Sequence, residues 1–209
     1  IYSFWGLRVI DIAKLCFVTG LTFWLGNLTV LGLGMLYVPG AASAVDHLPP
    51  VINRALAAAA LAALAGYLIY VWRKPRAFGA ERWEVTLPSG PLTLVQLLIG
   101  LADLFFCAIA MSLLIPAQPP IAFAALAVIF VLATLFGFAS HAPGSLGVFD
   151  AAMLVGLGQF DREELVAGLL LFRLLYFILP FSLALIAMAC REMWLAFCRS
   201  RVARPDSWP

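Results

Sequence analysis

Apolar positions along this chain neither alternate nor form narrow stripes; they come in unbroken runs. A membrane-spanning helix needs about 20 predominantly apolar residues. The first such run extends from about Leu15 to Val38, entered through Arg8, Asp11 and Lys14 and closed by Pro39-Gly40. Its Gly20, Gly26, Gly32 and Gly34 predict close helix contact. A second run, about Ala55 to Trp72, carries a small-residue surface at Ala57–Ala60 and Ala62-Ala63 of the kind membrane helix interfaces use. The third covers about Leu94 to Ile115 and ends in Pro116 and Pro119-Pro120; the fourth covers about Ile121 to Ala139. A break follows at His141-Ala-Pro143-Gly144-Ser145-Leu146-Gly147, then a short apolar stretch from Val148 to Phe160, then a last span from about Leu165 to Ala189. Pro180 predicts a kink in that span, with Tyr176 on the same side as Arg173 and Pro180 at helical spacing. The expectation is all-α: one transmembrane domain over 1–209, a polytopic helix bundle with a broken or re-entrant segment at 141–160.

Composition removes the soluble alternative. Hydrophobic residues make up 64% of the 209 and charged residues 11%, against about 45–50% and about 25% in soluble domains. Lipid is then the solvent, and backbone groups must be satisfied within helices or a closed barrel. The runs do not alternate in polarity, so the barrel is excluded. A net charge of +2 points to no nucleic-acid partner. Cys16, Cys107, Cys190 and Cys198 lack CxxC spacing and read as small apolar residues. His47 and His141 are too few for a zinc cage, and no cofactor is implied. The chain opens at Ile1 without Met or a signal-peptide pattern and reads as a part of a longer protein.

Basic residues set the orientation, because cytoplasmic loops carry the excess of Lys and Arg. Arg73, Lys74, Arg76 and Arg82 follow the second run, and Arg191, Arg199, Arg201 and Arg204 fill the tail. The 73–93 loop, the N-terminus and the tail are therefore expected in the cytoplasm. With the fourth span ending inside and the last one starting outside, the 141–160 stretch must carry the chain back across. It has too few residues to span as one helix, so its non-helical backbone must sit beside protein or a water-filled cavity. Trp24, Trp72, Trp83 and Trp194 fall mostly near span ends, as an aromatic belt would.

Ionisable residues inside the spans are the candidates for chemistry, each costing about 2.5–3.5 kcal/mol at a helix centre. Asp103 and Arg173 each come to lie roughly 12–14 Å deep in a core about 30 Å thick. At that depth they are placed to meet, either as an ion pair fixing helix register or as a polar site for a charged substrate, and the two roles are compatible. Asp150 falls in the first turn of the short helix after the break. It either answers the helix dipole or balances the cationic part of a zwitterionic substrate whose anion meets the backbone N–H groups of Gly144–Gly147. No acid–base dyad, Ser/His/Asp set or nucleotide-type Gly loop is present, so this segment carries no catalytic residues.

The run His141-Ala-Pro-Gly-Ser-Leu-Gly-Val-Phe-Asp150, followed by Leu171-Phe-Arg-Leu-Leu-Tyr-Phe-Ile-Leu-Pro180, resembles the membrane region of bacterial lysylphosphatidylglycerol synthase/flippases, which is shared with stand-alone membrane proteins. That family's pattern has a Pro-Gly-Gly-Leu-Gly loop, an acidic residue just after it, and an Arg-x-x-Tyr followed by proline. Asp103 in Ala-Asp-Leu-Phe and the opening Tyr2–Gly6 stretch match its layout, while Ser145 stands where the family has a second glycine. The resemblance implies that Asp103, Pro143, Gly144, Ser145, Gly147, Asp150, Arg173 and Tyr176 bind the substrate. It implies a parent phosphatidylglycerol lysyltransferase whose membrane part moves the aminoacylated lipid outward and protects against cationic peptides. The implied setting is a multi-pass protein of the bacterial inner membrane, with phosphatidylglycerol and its aminoacyl form as partners and room for a homo-oligomer. Two other readings compete: a membrane region that serves the transferase without transport of its own, and a small-solute transporter. Lipid transport predicts a laterally open groove, solute transport a cavity sealed from lipid.

Overall fold

A computed structural model describes residues 9–73, 77–78, 85–86 and 88–202. Tyr2–Gly6, Arg8, Lys74, Arg76, Arg82, Trp83 and Arg204 lie outside the described residues, as do the side chains of Asp11, Arg73, Pro143, Cys198, Arg199 and Arg201. Eight α-helices are described: α1 (Val9–Tyr37), α2 (Pro39–Asp46), α3 (Pro50–Arg73), α4 (Gly90–Leu114), α5 (Phe123–Ala139), α6 (Val148–Gly156), α7 (Arg162–Arg173) and α8 (Leu179–Val202). Four helical stretches are long and apolar enough to cross a membrane: Ile12–Tyr37, Pro50–Trp72, Gly90–Leu114 and Arg162–Phe197. The only β structure among the described residues is a two-residue antiparallel pairing in the α3–α4 connection, Ala77–Phe78 with Val85–Thr86. The fold is an all-α polytopic bundle. The short α2, which runs on from the first span after Pro39, is an element the apolar pattern did not separate.

Helix limits follow local chemistry. Prolines sit in the first turn of α2 and α4, where a missing N–H costs nothing. Pro116 follows the α4 terminus at Ile115, which has taken extended dihedrals. At the start of α7, the Asp161 carboxylate accepts from Glu163 N (2.9 Å) and Glu164 N (3.3 Å), with both glutamates in the dipole-favoured first turn.

Packing orders the bundle. We call the end bearing the α4–α5 connection the upper end and the end bearing the α3–α4 connection the lower. Helices α1 and α4 run parallel and meet at glycines: a Cβ on Gly26 would stand 2.9 Å from the carbonyl carbon of Gly100. Gly32 meets Leu61 of α3 and Gly34 meets Val128 of α5, so three of the four glycines of the first run make helix contacts; Gly20 has nothing near it. The alanine surface of α3 behaves differently from expectation. Only Ala57 is buried, and Ala58, Ala59, Ala62 and Ala63 face outward. Helix α3 meets α1 at Leu61 and Gly32, and most of the alanine stripe lies on other sides of the helix.

Helix α5 has 17 residues, about 25 Å at 1.5 Å per residue, and is the buried axis, with Leu126 and the run Val128–Ala133 all enclosed. A helix apolar on every side belongs inside. After the break, α6 folds back along α5: Ser145 lies against Gly137, and Gly156 lies against Ile129 and Val45 further up. Helix α7 then starts at the upper end and descends along α4, its Gly168 against the Leu114 backbone. The chain thus does return to the upper end before its last long helix begins.

Pro180 is accommodated by a π turn at Leu174–Ile178, in which Leu179 N–H bonds back to the Leu174 carbonyl. A wider turn relieves the ring's conflict with the preceding carbonyls. Beyond it, among the described residues, α8 packs chiefly on the π turn that precedes it, and Phe181, Leu183, Ile186, Met193 and Trp194 are all exposed.

Candidate functional site

The break is held open by backbone geometry. Gly144, Ser145 and Gly147 have φ of 65°, 54° and 83°, a left-handed region that glycine enters freely and serine enters at a cost. Ser145 keeps its place because Gly137 of α5 has no side chain: a Cβ there would come 2.6 Å from the Ser145 Cβ. The turn Pro143–Ser145 is a single 3₁₀ element, closed by Ser145 N–H to the Ala142 carbonyl at 2.9 Å.

Arg173 of α7 reaches into this turn. Its Nε donates to Asp150 Oδ1 (2.9 Å) and its Nη2 to Asp150 Oδ2 (2.7 Å), a bidentate pair. The same guanidinium donates to the carbonyls of Gly144 and Ser145, both at 3.3 Å. Side-chain exposure is 13% for Arg173 and 29% for Asp150, so the pair is largely removed from water yet keeps an open side. Gly147 N–H donates to Asp150 Oδ2 at 3.1 Å, which ties the start of α6 to the same carboxylate.

Two expectations are corrected here. Arg173 pairs with Asp150, not with Asp103; no ion pair joins Asp103 to Arg173, and among the described residues Asp103 has no cationic partner. The α6–α7 fold-back brings Asp150 to the guanidinium first. The break also presents itself to Arg173 through carbonyls, and the Gly147 N–H is already occupied by Asp150. The loop is therefore not a bare cradle of N–H groups, and the guanidinium is the group placed to meet an anion.

Around the pair is a cavity of about 100 Å³ reached by Asp103, Thr134, Gly144, Ser145, Arg173 and Tyr176. Its walls are aromatic. Phe172 stacks on Tyr176 (5.3 Å between centroids, 9°), and Phe130 sets its edge against Phe149 (5.6 Å) and Phe172 (5.7 Å). The Arg173 guanidinium lies 5.7 Å from the centre of the Phe149 ring, within cation–π range. Tyr176 of the π turn and Cys107 of α4 both line the cavity. Asp103 itself is exposed toward the cavity and toward a second groove between α1 and α4.

Seven of the eight sequence-predicted residues have described surroundings, and five of them line the cavity: Asp103, Gly144, Ser145, Arg173 and Tyr176; Asp150 stands behind Arg173 as its partner. Gly147 shapes the turn behind it. The aromatic wall was missed, because phenylalanines in an apolar run carry no periodic signal. Asn27 and Gln96 were missed as well, although amides inside apolar helices are visible in the sequence.

Trp24 also departs from expectation. It sits in the middle of α1, edge-on to Phe138 of α5 at 5.8 Å, instead of marking a span end.

No family model matches the chain. It is 25% identical over 194 residues to an uncharacterized protein of Synechocystis sp., covering 92% of this chain and 60% of that one. It is 28% identical over 191 residues to inner membrane protein YbhN of Escherichia coli, covering 89% and 59%. A shorter match, 43% over 68 residues, is to the phosphatidylglycerol lysyltransferase of Staphylococcus xylosus, covering 32% of this chain and 8% of the enzyme. The resemblance to the lysylphosphatidylglycerol synthase/flippase membrane region is borne out. The chain spans about three fifths of the relatives that match it nearly end to end. It is a multi-pass membrane protein related to YbhN-type proteins and to a segment of lysyltransferases.

Proposed function

We propose that this chain is a lipid-translocating module of a bacterial inner membrane, moving a phospholipid whose head group joins a phosphate to an amine, as aminoacylated phosphatidylglycerol does. The observation that carries the reading is the Arg173–Asp150 pair, set at a helix break in a cavity that α8 leaves uncovered. An incoming phosphate can take the place of Asp150 on the guanidinium, so that Arg173 stays paired, while the displaced carboxylate keeps the Gly147 N–H and is left to meet the cationic part of the same head group. Apolar walls of Phe130, Phe149 and Phe172 keep water out and match acyl chains. A lateral opening of the cavity is part of this proposal: acyl chains remain in the bilayer while the head group enters, as a lipid requires and a soluble solute does not. In this orientation the 73–93 loop and the tail after Arg191 face the cytoplasm, and α8 borders the inner leaflet.

The test uses the full-length protein in cells that make aminoacylated phosphatidylglycerol. Total aminoacyl lipid is compared with the fraction open to an impermeant amine reagent on the outer leaflet. A well-expressed Gly147→Leu protein is expected to keep the total and lower the exposed fraction, because a side chain at φ 83° distorts the turn that holds Arg173. Unchanged outer-leaflet exposure removes the break from the transport path. A fall in total lipid with unchanged distribution favours a membrane region that serves aminoacyl transfer without transport.

A further inference from the structure

Beside the cavity, and sharing Phe23, Asp103 and Leu104 with it, runs a groove of about 400 Å³ between α1 and α4. Two amides line it. Asn27 is 1% exposed and Gln96 is 6% exposed, and each NH₂ group donates to a backbone carbonyl: Asn27 Nδ2 to that of Phe23 (2.8 Å), Gln96 Nε2 to that of Val18 (3.3 Å). Their oxygens, Asn27 Oδ1 and Gln96 Oε1, are buried without a hydrogen-bond partner. Turning either amide over would set oxygen against a backbone oxygen, so the orientation is fixed by the neighbours. A buried acceptor left unmet is destabilising, and two in one groove call for a donor. At the groove's inner end stands Asp103, a carboxylate in mid-helix with no cationic partner among the described residues. None of the groove-lining side chains is cationic.

The geometry points to an amine subsite: the oxygens of Gln96, Asn27 and Asp103 form an acceptor track for an ammonium group, delivering it beside Arg173, which takes the attached anion. The inference rests on the lipid-transfer reading and deepens it, since it names the feature by which one phospholipid is preferred to another. Phosphatidylglycerol brings hydroxyls and a phosphate; a primary ammonium brings three N–H donors and the charge that Asp103 lacks. The Gly26–Gly100 contact brings the α1 and α4 backbones together and so holds the two amides in one groove.

The experiment reconstitutes the full-length protein in vesicles with two acyl-labelled lipids, phosphatidylglycerol and an aminoacyl phosphatidylglycerol, and follows transfer by quenching from outside. Asn27→Leu, Gln96→Leu and Asp103→Asn, each near the volume of the native side chain, are expected to lower the aminoacyl-to-plain rate ratio about tenfold. Arg173→Gln is expected to slow both lipids and leave the ratio near that of the wild type. Free ethanolamine that inhibits only the aminoacyl lipid assigns the subsite to amines in general; no inhibition, with the ratio still lowered, assigns it to lipid-borne amines. Wild-type protein that moves neither lipid overturns the lipid-transfer reading and the subsite together. Transfer with a ratio unchanged in all three variants overturns the subsite alone.

Discussion

Asp103 lines the cavity and Asp150 is bound to Arg173, which lines it too, and the fold treats the two carboxylates in opposite ways. Around Asp150 everything is answered: two guanidinium contacts, one backbone N–H, a turn of left-handed residues and a glycine that makes room for it. Around Asp103 no cation answers the carboxylate among the described residues, and two buried amide oxygens in the adjoining groove are unmet. A site that satisfies itself fixes structure, whereas one that leaves acceptors open is shaped for something that arrives. The first region is expected to govern stability and the second to govern what is bound.

That contrast is broken most forcefully at the guanidinium. Arg173→Gln strands the Asp150 carboxylate; losing one partner of a fully buried pair costs about 3–5 kcal/mol, and the partial exposure of Asp150 places the loss near the lower figure. Thermal unfolding in detergent is expected to show it. The exchanged pair Asp150→Arg with Arg173→Asp is expected to regain part of the loss relative to either single reversal. If Arg173→Gln melts with the wild type, the pair does not hold the break.

A smaller effect is expected at the glycine behind the turn. Gly137→Val drives a side chain into Ser145, and overpacking of this kind costs about 1–3 kcal/mol. Ser145→Gly in the same chain is expected to relieve part of it, because it removes the clash and the serine's strained φ together. Additive losses in the double variant would place the two residues out of contact. Gly147→Ala comes next: its Cβ would meet nothing, so the cost is conformational, about 1–2 kcal/mol. A stability equal to wild type would show that the turn has another shape in the membrane.

The smallest stability effect is expected at Asp103→Asn, within about 0.5 kcal/mol as for substitutions away from packed features, together with a clear loss of function. A large destabilisation there would make Asp103 a structural residue and erase the contrast.

Much of this was legible in the order of residues. Long apolar runs gave the helices, and the proline–glycine cluster before Asp150 gave the break. Partner choice was not legible. Depth along straight helices placed Asp103 and Arg173 at one level, but the fold-back of α6 put Asp150 nearer, a consequence of the turn at Gly144–Gly147 that spacing alone does not specify. The alanine stripe of α3 failed for a similar reason: small residues permit close packing without saying which helix, if any, takes it up. Asn27 and Gln96 were readable as amides in apolar helices, but their open oxygens depend on where the Phe23 and Val18 carbonyls stand.

Head-group photolabelling tests the central claim most directly. A phosphatidylglycerol bearing a photoreactive group on its head group is incorporated with the full-length protein in vesicles, irradiated, and its adducts are mapped by mass spectrometry. The account predicts adducts on the residues lining the cavity, Thr134, Phe149 and Tyr176 among them, that diminish in Arg173→Gln relative to adducts at helix ends. Adducts confined to helix ends, with the cavity unlabelled in both proteins, would contradict it.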